Sequence, residues 1–286
     1  MVQLIDGIDG LLGKYDLAII DQWGVLHNGV VPFRGAVAAI TALGRSGTNI
    51  IILSNSGKLA SHSEKLITRM GFDMRYINKV ISSGQAARQW LEEKKSPLAA
   101  RLGKKLIFWG FDEDYSAIKG LGFDITGDIN QADFILAAGA GRGALEHYQI
   151  ELDIGLARGI PLLCTNPDMV ANMPDGSLKI CPGALAEYYE QKGGQVVRFG
   201  KPAREVYDMC LAEYPKAKRI IGIGDSLAHD IKGANNIDAD SIFILDGIHE
   251  KEFRHGVDKE KLMHLCDAHG VRPTFALAQL RLGQSR

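Results

Sequence analysis

The sequence lacks the cysteine patterns that mark disulfide-rich and zinc-binding proteins. It has four cysteines in 286 residues, and they lie far apart: Cys164, Cys181, Cys210 and Cys266. None forms a CxxC pair or has histidine neighbours at zinc-ligand spacing. We therefore interpret all four as reduced thiols, most of them buried.

Excess charge and long apolar runs are also absent. The chain has 33 basic and 34 acidic residues and a net charge of -1, so nothing indicates a nucleic-acid or anionic-membrane partner. No apolar stretch approaches the ~20 residues that a membrane span needs, and no basic segment followed by an apolar run opens the chain. We expect no nucleic-acid partner and no membrane association, with the cytoplasm as the default location.

The composition that remains is that of a globular protein. Hydrophobic residues make up 46% and charged residues 23% of the chain. The length allows one large domain or two ordinary domains, at roughly 150 residues per domain. Composition and length therefore predict a folded protein with a buried core, in which functional residues are indicated by local sequence motifs.

The first informative stretch is residues 17–29, with the sequence LAIIDQWGVLHNG. A short apolar run of this kind predicts a strand buried on both faces, and Asp21 stands where the run stops. Ligands of open α/β sheets bind at the carboxyl ends of the strands, where the loops separate. Taken alone, however, Asp21 is explained equally well as a loop-capping aspartate.

A second strand end lies close by in the predicted topology. Residues 33–47 have near-helical apolar spacing, and the run at 49–53 predicts a strand that ends in Ser54 and Asn55. Strand, helix and strand form a βαβ unit, whose right-handed crossover places both strand ends at one edge of the sheet. We therefore expect Ser54 near Asp21.

Two further strand ends carry charged residues. The run at 196–199 ends before Lys201, which stands between glycine and proline, and the run at 219–223 ends before Asp225 and Asp230. Two carboxylates on one loop suit Mg²⁺, which prefers oxygen ligands. Each feature also has an ordinary explanation, a solvated surface lysine or a loop with a helix cap.

The middle of the chain predicts a second α/β unit. Short strands are expected at 105–109, 133–137 and 161–164, after a charged segment at 92–105 that we interpret as a linker or a domain-entry segment. The glycine-rich residues 139–143 lack the Lys-Ser/Thr of a P-loop and the full GxGxxG pattern, so we favour a plain loop over a phosphate cradle. Turn chemistry alone explains the Asn-Pro pair at 166–167 and the Pro-Asp-Gly stretch at 174–176.

The four strand ends, in this order, resemble the motifs of the haloacid dehalogenase superfamily. They read IIDQWG, ILSNSG, FGKP and GIGDSLAHD. The long insertion with TNPD followed by PG is similar to the cap of class IIA members, the NagD-type and nitrophenylphosphatase-like proteins. The resemblance covers nearly the whole chain. It implies a Rossmann-like three-layer α/β core with a parallel sheet at 1–82 and 196–286, and a smaller inserted α/β cap of the C2 type at 83–195.

The resemblance also implies a site and a reaction. Asp21 would attack phosphorus and form an aspartyl-phosphate on a small phosphorylated metabolite. The implied Mg²⁺ ligands are Asp21, the backbone carbonyl of Trp23, Asp225 and Asp230. The implied phosphate and substrate contacts are Ser54, Asn55, Lys201, Asn166 and Asp168. Ser54 and Lys201 would assist Asp21 in catalysis.

A homo-oligomer is compatible with the sequence, which does not determine the number of subunits.

One position departs from the family pattern. Phosphatases of the family carry a second aspartate two residues after the nucleophile, as the acid that protonates the leaving group, and here that residue is Trp23. An indole N–H cannot replace it. We interpret the nearby His27 as a structural residue. Ala228 stands where many class IIA members have a third aspartate, but the Asp225 and Asp230 pair is intact.

Three interpretations follow from this departure. The first is a Mg²⁺-dependent phosphatase that is slow or restricted to leaving groups that need no proton, such as those of acyl or aryl phosphates. The second is a non-catalytic protein that binds a phosphorylated metabolite. The third uses the aspartate to displace halide or to pass on phosphoryl groups. Because dehalogenase-type members need no metal, the retained Asp225 and Asp230 argue against halide displacement.

Overall fold

The structure is a computed structural model that describes residues 2–172 and 177–283. The chain divides into two compact units. The first comprises Met1–Ser54, Glu64–Ile81 and Lys201–Arg286. The second comprises Asn55–Ser63 and Ser82–Gly200.

The strands and helices are numbered in chain order. The strands are β1 (Gln3–Leu4), β2 (Leu17–Ile20), β3 (Asn49–Ser54), β4 (Lys79–Ser82), β5 (Lys105–Trp109), β6 (Asp124–Ile125), β7 (Phe134–Ala137), β8 (Leu162–Cys164), β9 (Val170–Asn172), β10 (Leu178–Ile180), β11 (Val196–Arg198), β12 (Ile220–Gly224), β13 (Asp240–Ile244) and β14 (Phe275–Leu277). The α-helices are α1 (Ala36–Arg45), α2 (Ala60–Arg69), α3 (Ser83–Glu93), α4 (Pro97–Arg101), α5 (Glu146–Arg158), α6 (Pro182–Gln191), α7 (Arg204–Glu213), α8 (Lys232–Asn235), α9 (Glu250–Phe253) and α10 (Lys259–Ala268). A π-helical turn spans Leu227–Ile231.

A seven-stranded sheet, in the order β1-β14-β13-β12-β2-β3-β4, forms the first unit's framework. Strand β2 lies between β12 and β3 and pairs in parallel with both. Every residue of β2 is buried, as expected for a central strand of a parallel sheet that is covered on both faces. The predicted βαβ unit is confirmed, because β2 and β3 are parallel neighbours with α1 between them.

The second unit has its own parallel sheet, in the order β11-β8-β7-β5-β6, and an antiparallel β9–β10 pair. Side chains of β5, β7 and β8 lie in two apolar clusters, with α5 and α6 contributing to one and α3 to the other. One expectation is corrected here. Residues 196–198, predicted to begin the second core segment, pair with β8 in this sheet. The charged segment at 92–105 contains α4, whose first turn is capped by the Ser96 hydroxyl.

The predicted fold class is confirmed: a Rossmann-like parallel α/β core accompanied by a second, smaller α/β unit. All four cysteines are free and buried. Among the described residues, no helix has the length and apolar character needed to cross a membrane. The predicted turn at 174–176 lies outside the described residues.

Candidate active site

Three carboxylates gather at the carboxyl edge of the seven-stranded sheet. Asp21 follows β2, Asp225 follows β12, and Asp230 lies in the π-helical turn after it. Ligand atoms of all three lie within 4.8 Å of one another. The three residues are 8%, 7% and 5% exposed, respectively. The register explains the meeting of the first two, since β2 and β12 are parallel neighbours with Ile20 opposite Ile223.

Lys201 lies within this cluster. Its Nζ is 2.5 Å from Asp21 Oδ1 and 2.7 Å from Asp230 Oδ1, and the residue is 3% exposed. Burial disfavours the charged ammonium, but the two carboxylates outweigh that effect and hold the pKa of Lys201 well above its ordinary value. Lys201 is therefore a charged, fixed donor in this site, not the solvated surface lysine of the ordinary explanation.

Backbone atoms hold Asp225 in place. The Ile248 N–H donates to Asp225 Oδ2 at 2.8 Å. Glycines stand on both sides, since a β-carbon at Gly24 or at Gly247 would overlap the Asp225 carboxylate. These contacts fix the carboxylate through backbone atoms. Sequence reasoning missed them, because a glycine far along the chain gives no sign of what it packs against.

The π-helical turn sets the position of Asp230. Both Asp230 N and Ile231 N donate to the Ser226 carbonyl, and the Ser226 N–H donates to Asp230 Oδ2 at 3.0 Å. A π-type turn inside a helix often occurs at functional sites. The turn thus brings Asp230 back over Gly224, where a β-carbon would overlap its side chain.

The charge of the cluster matches a divalent cation. Burial, together with the negative charges of Asp21 and Asp230, raises the pKa of Asp225 well above its ordinary value. Besides burial, the raised pKa reflects repulsion among the clustered carboxylates that the Lys201 ammonium does not fully offset, and a divalent cation would offset it. Clustered carboxylate oxygens are also the ligands that Mg²⁺ prefers. The residues present therefore fit the metal that the family resemblance implies.

The other predicted site residues lie at loops of the two units. Ser54, in the first unit, is buried at the end of β3, one residue beyond the position opposite Asp21 in the β2–β3 register. Asn55, Asn166 and Asp168 belong to the second unit. There the Asn55 side-chain amide donates to Asp168 Oδ1 at 2.8 Å, while the Asn166 side chain accepts from the Asp168 N–H at 3.2 Å.

Trp23 and His27 pack together in the loop after Asp21. Their rings meet edge to face, with centroids 5.6 Å apart. His27 is fully buried, and its Nδ1 accepts from the Gly29 N–H at 2.9 Å. The ring proton therefore sits on Nε2, which donates to the Gln22 side-chain amide at 2.9 Å, with the amide turned so that its oxygen accepts. This arrangement agrees with a structural role for His27.

The buried His27 should make folding stability depend on pH. Burial lowers its pKa from 6.5 to about 4, so between these values the unfolded chain binds a proton that the folded chain does not. Stability should therefore fall as pH drops from 6.5 to 4, by up to about 3 kcal/mol at ~1.4 kcal/mol per pKa unit. Urea unfolding at several pH values measures this. His27→Gln should lose that part of the slope, whereas replacement of the exposed His62 should keep it; equal slopes in both variants would contradict the assignment.

Fold and site together define an α/β protein with acidic residues gathered at the carboxyl edge of a parallel sheet. A family model described as haloacid dehalogenase-like hydrolase matches residues 18–124, and one described as HAD-hydrolase-like matches residues 198–268. The chain belongs to the haloacid dehalogenase-like hydrolases, as the four strand-end motifs predict.

Solved structures of the family are similar over most of the chain. A haloacid dehalogenase-like hydrolase from Brucella suis is 27% identical, with a TM-score of 0.79 and coverage of 97% of this chain and 100% of that one. A p-nitrophenyl phosphatase from Archaeoglobus fulgidus is 22% identical, with a TM-score of 0.70 and coverage of 93% and 97%. A glycerol phosphate phosphatase from Mycobacterium tuberculosis, in complex with magnesium, is 19% identical, with a TM-score of 0.64 and coverage of 85% and 71%.

Proposed function

We propose that this hydrolase is a Mg²⁺-dependent phosphohydrolase that acts on a small phosphorylated metabolite through an aspartyl-phosphate on Asp21. The observation that carries the proposal is the buried group of Asp21, Asp225, Asp230 and Lys201. Two structural relatives, a p-nitrophenyl phosphatase and a glycerol phosphate phosphatase, support the reaction class.

The reaction begins with attack by an Asp21 carboxylate oxygen on phosphorus. The new bond is the O–P bond of the aspartyl-phosphate, and the bond to the leaving group breaks, with its electron pair going to the leaving oxygen. Water then attacks phosphorus, releases inorganic phosphate and a proton, and restores the Asp21 carboxylate. Two displacements thus replace one difficult hydrolysis.

Lys201 has two functions in this scheme. Its ammonium, 2.5 Å from Asp21 Oδ1, keeps the nucleophile ionised. It also offers positive charge to the phosphoryl oxygens as they gain negative charge. Ser54 and the Asn55 backbone donate hydrogen bonds to the same oxygens, and Asn166 and Asp168 contact the substrate; these four assignments stay predictions from the family motifs.

The metal would be held by Asp21, Asp225, Asp230 and the backbone carbonyl of Trp23. Bound Mg²⁺ supplies positive charge that stabilises the transferring phosphoryl group. The glycerol phosphate phosphatase relative is known in complex with magnesium and in complex with calcium, which supports a divalent cation at this position. The protein's own contribution is to keep Asp225 fixed by the Ile248 N–H.

Trp23 limits the substrates. Because no carboxylic acid stands two residues after Asp21, the leaving oxygen must depart without a proton from that position. Aryl and acyl phosphates meet this condition, since their leaving groups are weak bases. The same feature favours a second candidate, a protein that binds a phosphorylated metabolite and does not turn it over.

Metal removal tests the proposal. Purified protein should release phosphate from p-nitrophenyl phosphate and from acetyl phosphate in the presence of Mg²⁺. EDTA should lower the hydrolysis rate to background, and restored Mg²⁺ should return it. Asp225→Asn should shift the half-activating Mg²⁺ concentration upward, because one anionic ligand is lost.

A matched variant separates this effect from a general loss of charge. Asp208 is exposed on α7 and pairs with Arg204, so Asp208→Asn should keep the wild-type Mg²⁺ dependence. A hydrolysis rate that is unchanged by EDTA and by Asp225→Asn would refute the metal-dependent mechanism. Mg²⁺-dependent binding of phosphate esters without hydrolysis would favour the binding protein.

A further inference from the structure

We propose that the Trp23 indole is a stacking surface that selects phosphate esters with an aromatic leaving group. The inference rests on the proposed function, because it concerns the group that departs from phosphorus at Asp21. Without a general acid, the site can act on aryl and acyl phosphates. Of these two substrate classes, the inference selects aryl phosphates.

Exposure singles out Trp23 in the segment that carries the nucleophile. Asp21 and Gln22 are 8% and 4% exposed, whereas Trp23 is 37% exposed. The next residue, Gly24, packs directly on the Asp225 carboxylate. The indole is thus a large, partly exposed apolar side chain two residues after the nucleophile and next to the glycine that packs on Asp225.

The ring is held in one orientation. Its outer edge fills the space beside Gly29, where a β-carbon would overlap the indole carbons. One side meets His27 edge to face, with an angle of 76° between the rings. His27 in turn is fixed by the Gly29 N–H and by Gln22. An exposed aromatic ring whose position is set by buried neighbours loses little conformational entropy when a ligand stacks on it.

Hydrogen bonds within the loop set the backbone that supports the ring. The Asn28 side chain accepts from the N–H groups of Val30 and Val31, both at 3.0 Å, and the Asn28 N–H donates to the Val31 carbonyl. This Asx turn fixes the backbone at Gly29, on which the indole lies. The support is therefore built from the chain's own hydrogen bonds, before any ligand is present.

The chemistry of the site and the ring point to the same ligand. A leaving group that departs unprotonated must carry its negative charge alone, and an aryl oxide does so by delocalising it into the ring. The same planar ring can stack on an indole, a favourable arrangement for aromatic pairs. The carboxylate that leaves from an acyl phosphate also departs without a proton, but it lacks the planar aryl oxide ring that can stack on an indole.

Phosphonates test this without turnover, because their carbon–phosphorus bond is not broken by displacement at phosphorus. Phenyl-, cyclohexyl- and methylphosphonate are titrated calorimetrically into the full-length protein with Mg²⁺. Phenylphosphonate should bind tightest. Its advantage over the cyclohexyl compound should be about twofold to tenfold, the range expected for one aromatic pair. Trp23→Leu should remove that advantage, and Trp23→Phe should keep most of it.

Val30→Ala provides the matched control, since Val30 lies on the same loop and is 65% exposed. It should keep the wild-type preference. Equal affinities for the phenyl and cyclohexyl compounds, or a preference that survives in Trp23→Leu, would overturn the stacking role while leaving the phosphate site intact. Failure of all three phosphonates to bind would refute the phosphate site itself, and this inference with it.

Discussion

Asp21→Asn should lower the rate of p-nitrophenyl phosphate hydrolysis by on the order of 10⁴-fold or more, as expected when a nucleophile is removed. The amide that replaces the carboxylate is a poor nucleophile, and it leaves the Lys201 ammonium, 2.5 Å away, without one of its two anionic partners. Initial rates at saturating Mg²⁺ measure the loss. Acid-quenched wild-type protein should carry one phosphoryl group by mass spectrometry, and the variant should carry none.

Asp16 supplies the control at the opposite end of the same strand. It precedes β2, where its carboxylate pairs with Arg219 at 2.6 Å near the surface. Asp16→Asn removes an equal charge from the same segment and should leave the rate within about twofold of wild type. If Asp21→Asn retained a rate comparable with that of Asp16→Asn, the nucleophile would have to be another residue, and the aspartyl-phosphate mechanism would be wrong.

The sequence predicts the core of the site because its residues follow buried strands. Asp21 and Asp225 each stand directly after an apolar run, and such runs are recognisable without an alignment. The right-handed βαβ rule then places the ends of β2 and β3 side by side, as the register of the two strands confirms. Strand type and parallel topology therefore follow from local pattern and a general rule of chirality.

The contacts that hold the site are not predictable in the same way. Gly247 and Ile248 touch Asp225 from more than twenty residues along the chain, and nothing in their local sequence indicates that contact. Lys201 is bound by two carboxylates: the family motif predicts the contact with Asp21, whereas the local Gly-Lys-Pro turn alone is equally typical of a surface lysine. These contacts depend on packing between residues far apart in the chain, and the periodicity of apolar residues does not predict such packing.

Short edge elements escape sequence reasoning for another reason. Strands β1 and β14 span two and three residues, too few for a pattern to develop. Strand β11 is recognisable as a strand, but its side chains are only half-buried, and the sheet to which it belongs depends on its partner β8. The sequence therefore predicts that a strand exists there and cannot predict which sheet receives it.

Trp23→Asp should raise turnover of an alkyl ester such as glycerol phosphate by about 10²–10⁴-fold, the usual contribution of a general acid. An alkoxide is a strong base and departs slowly unless it is protonated, and a carboxylic acid two residues after Asp21 would supply that proton. The dependence of rate on the pKa of the leaving alcohol should also become shallower. Steady-state kinetics on a series of alkyl and aryl phosphates measures both effects.

Trp23→Asn separates acidity from the loss of bulk, since asparagine has nearly the same shape as aspartate and no proton to give. It should fail to accelerate alkyl esters, while both variants should lose the preference for aromatic ligands. Equal gains from Asp and Asn would mean that the indole merely obstructs the site. No gain from either would place the defect elsewhere in the site, with Ala228 in the π-helical turn as the next departure from the family pattern to restore.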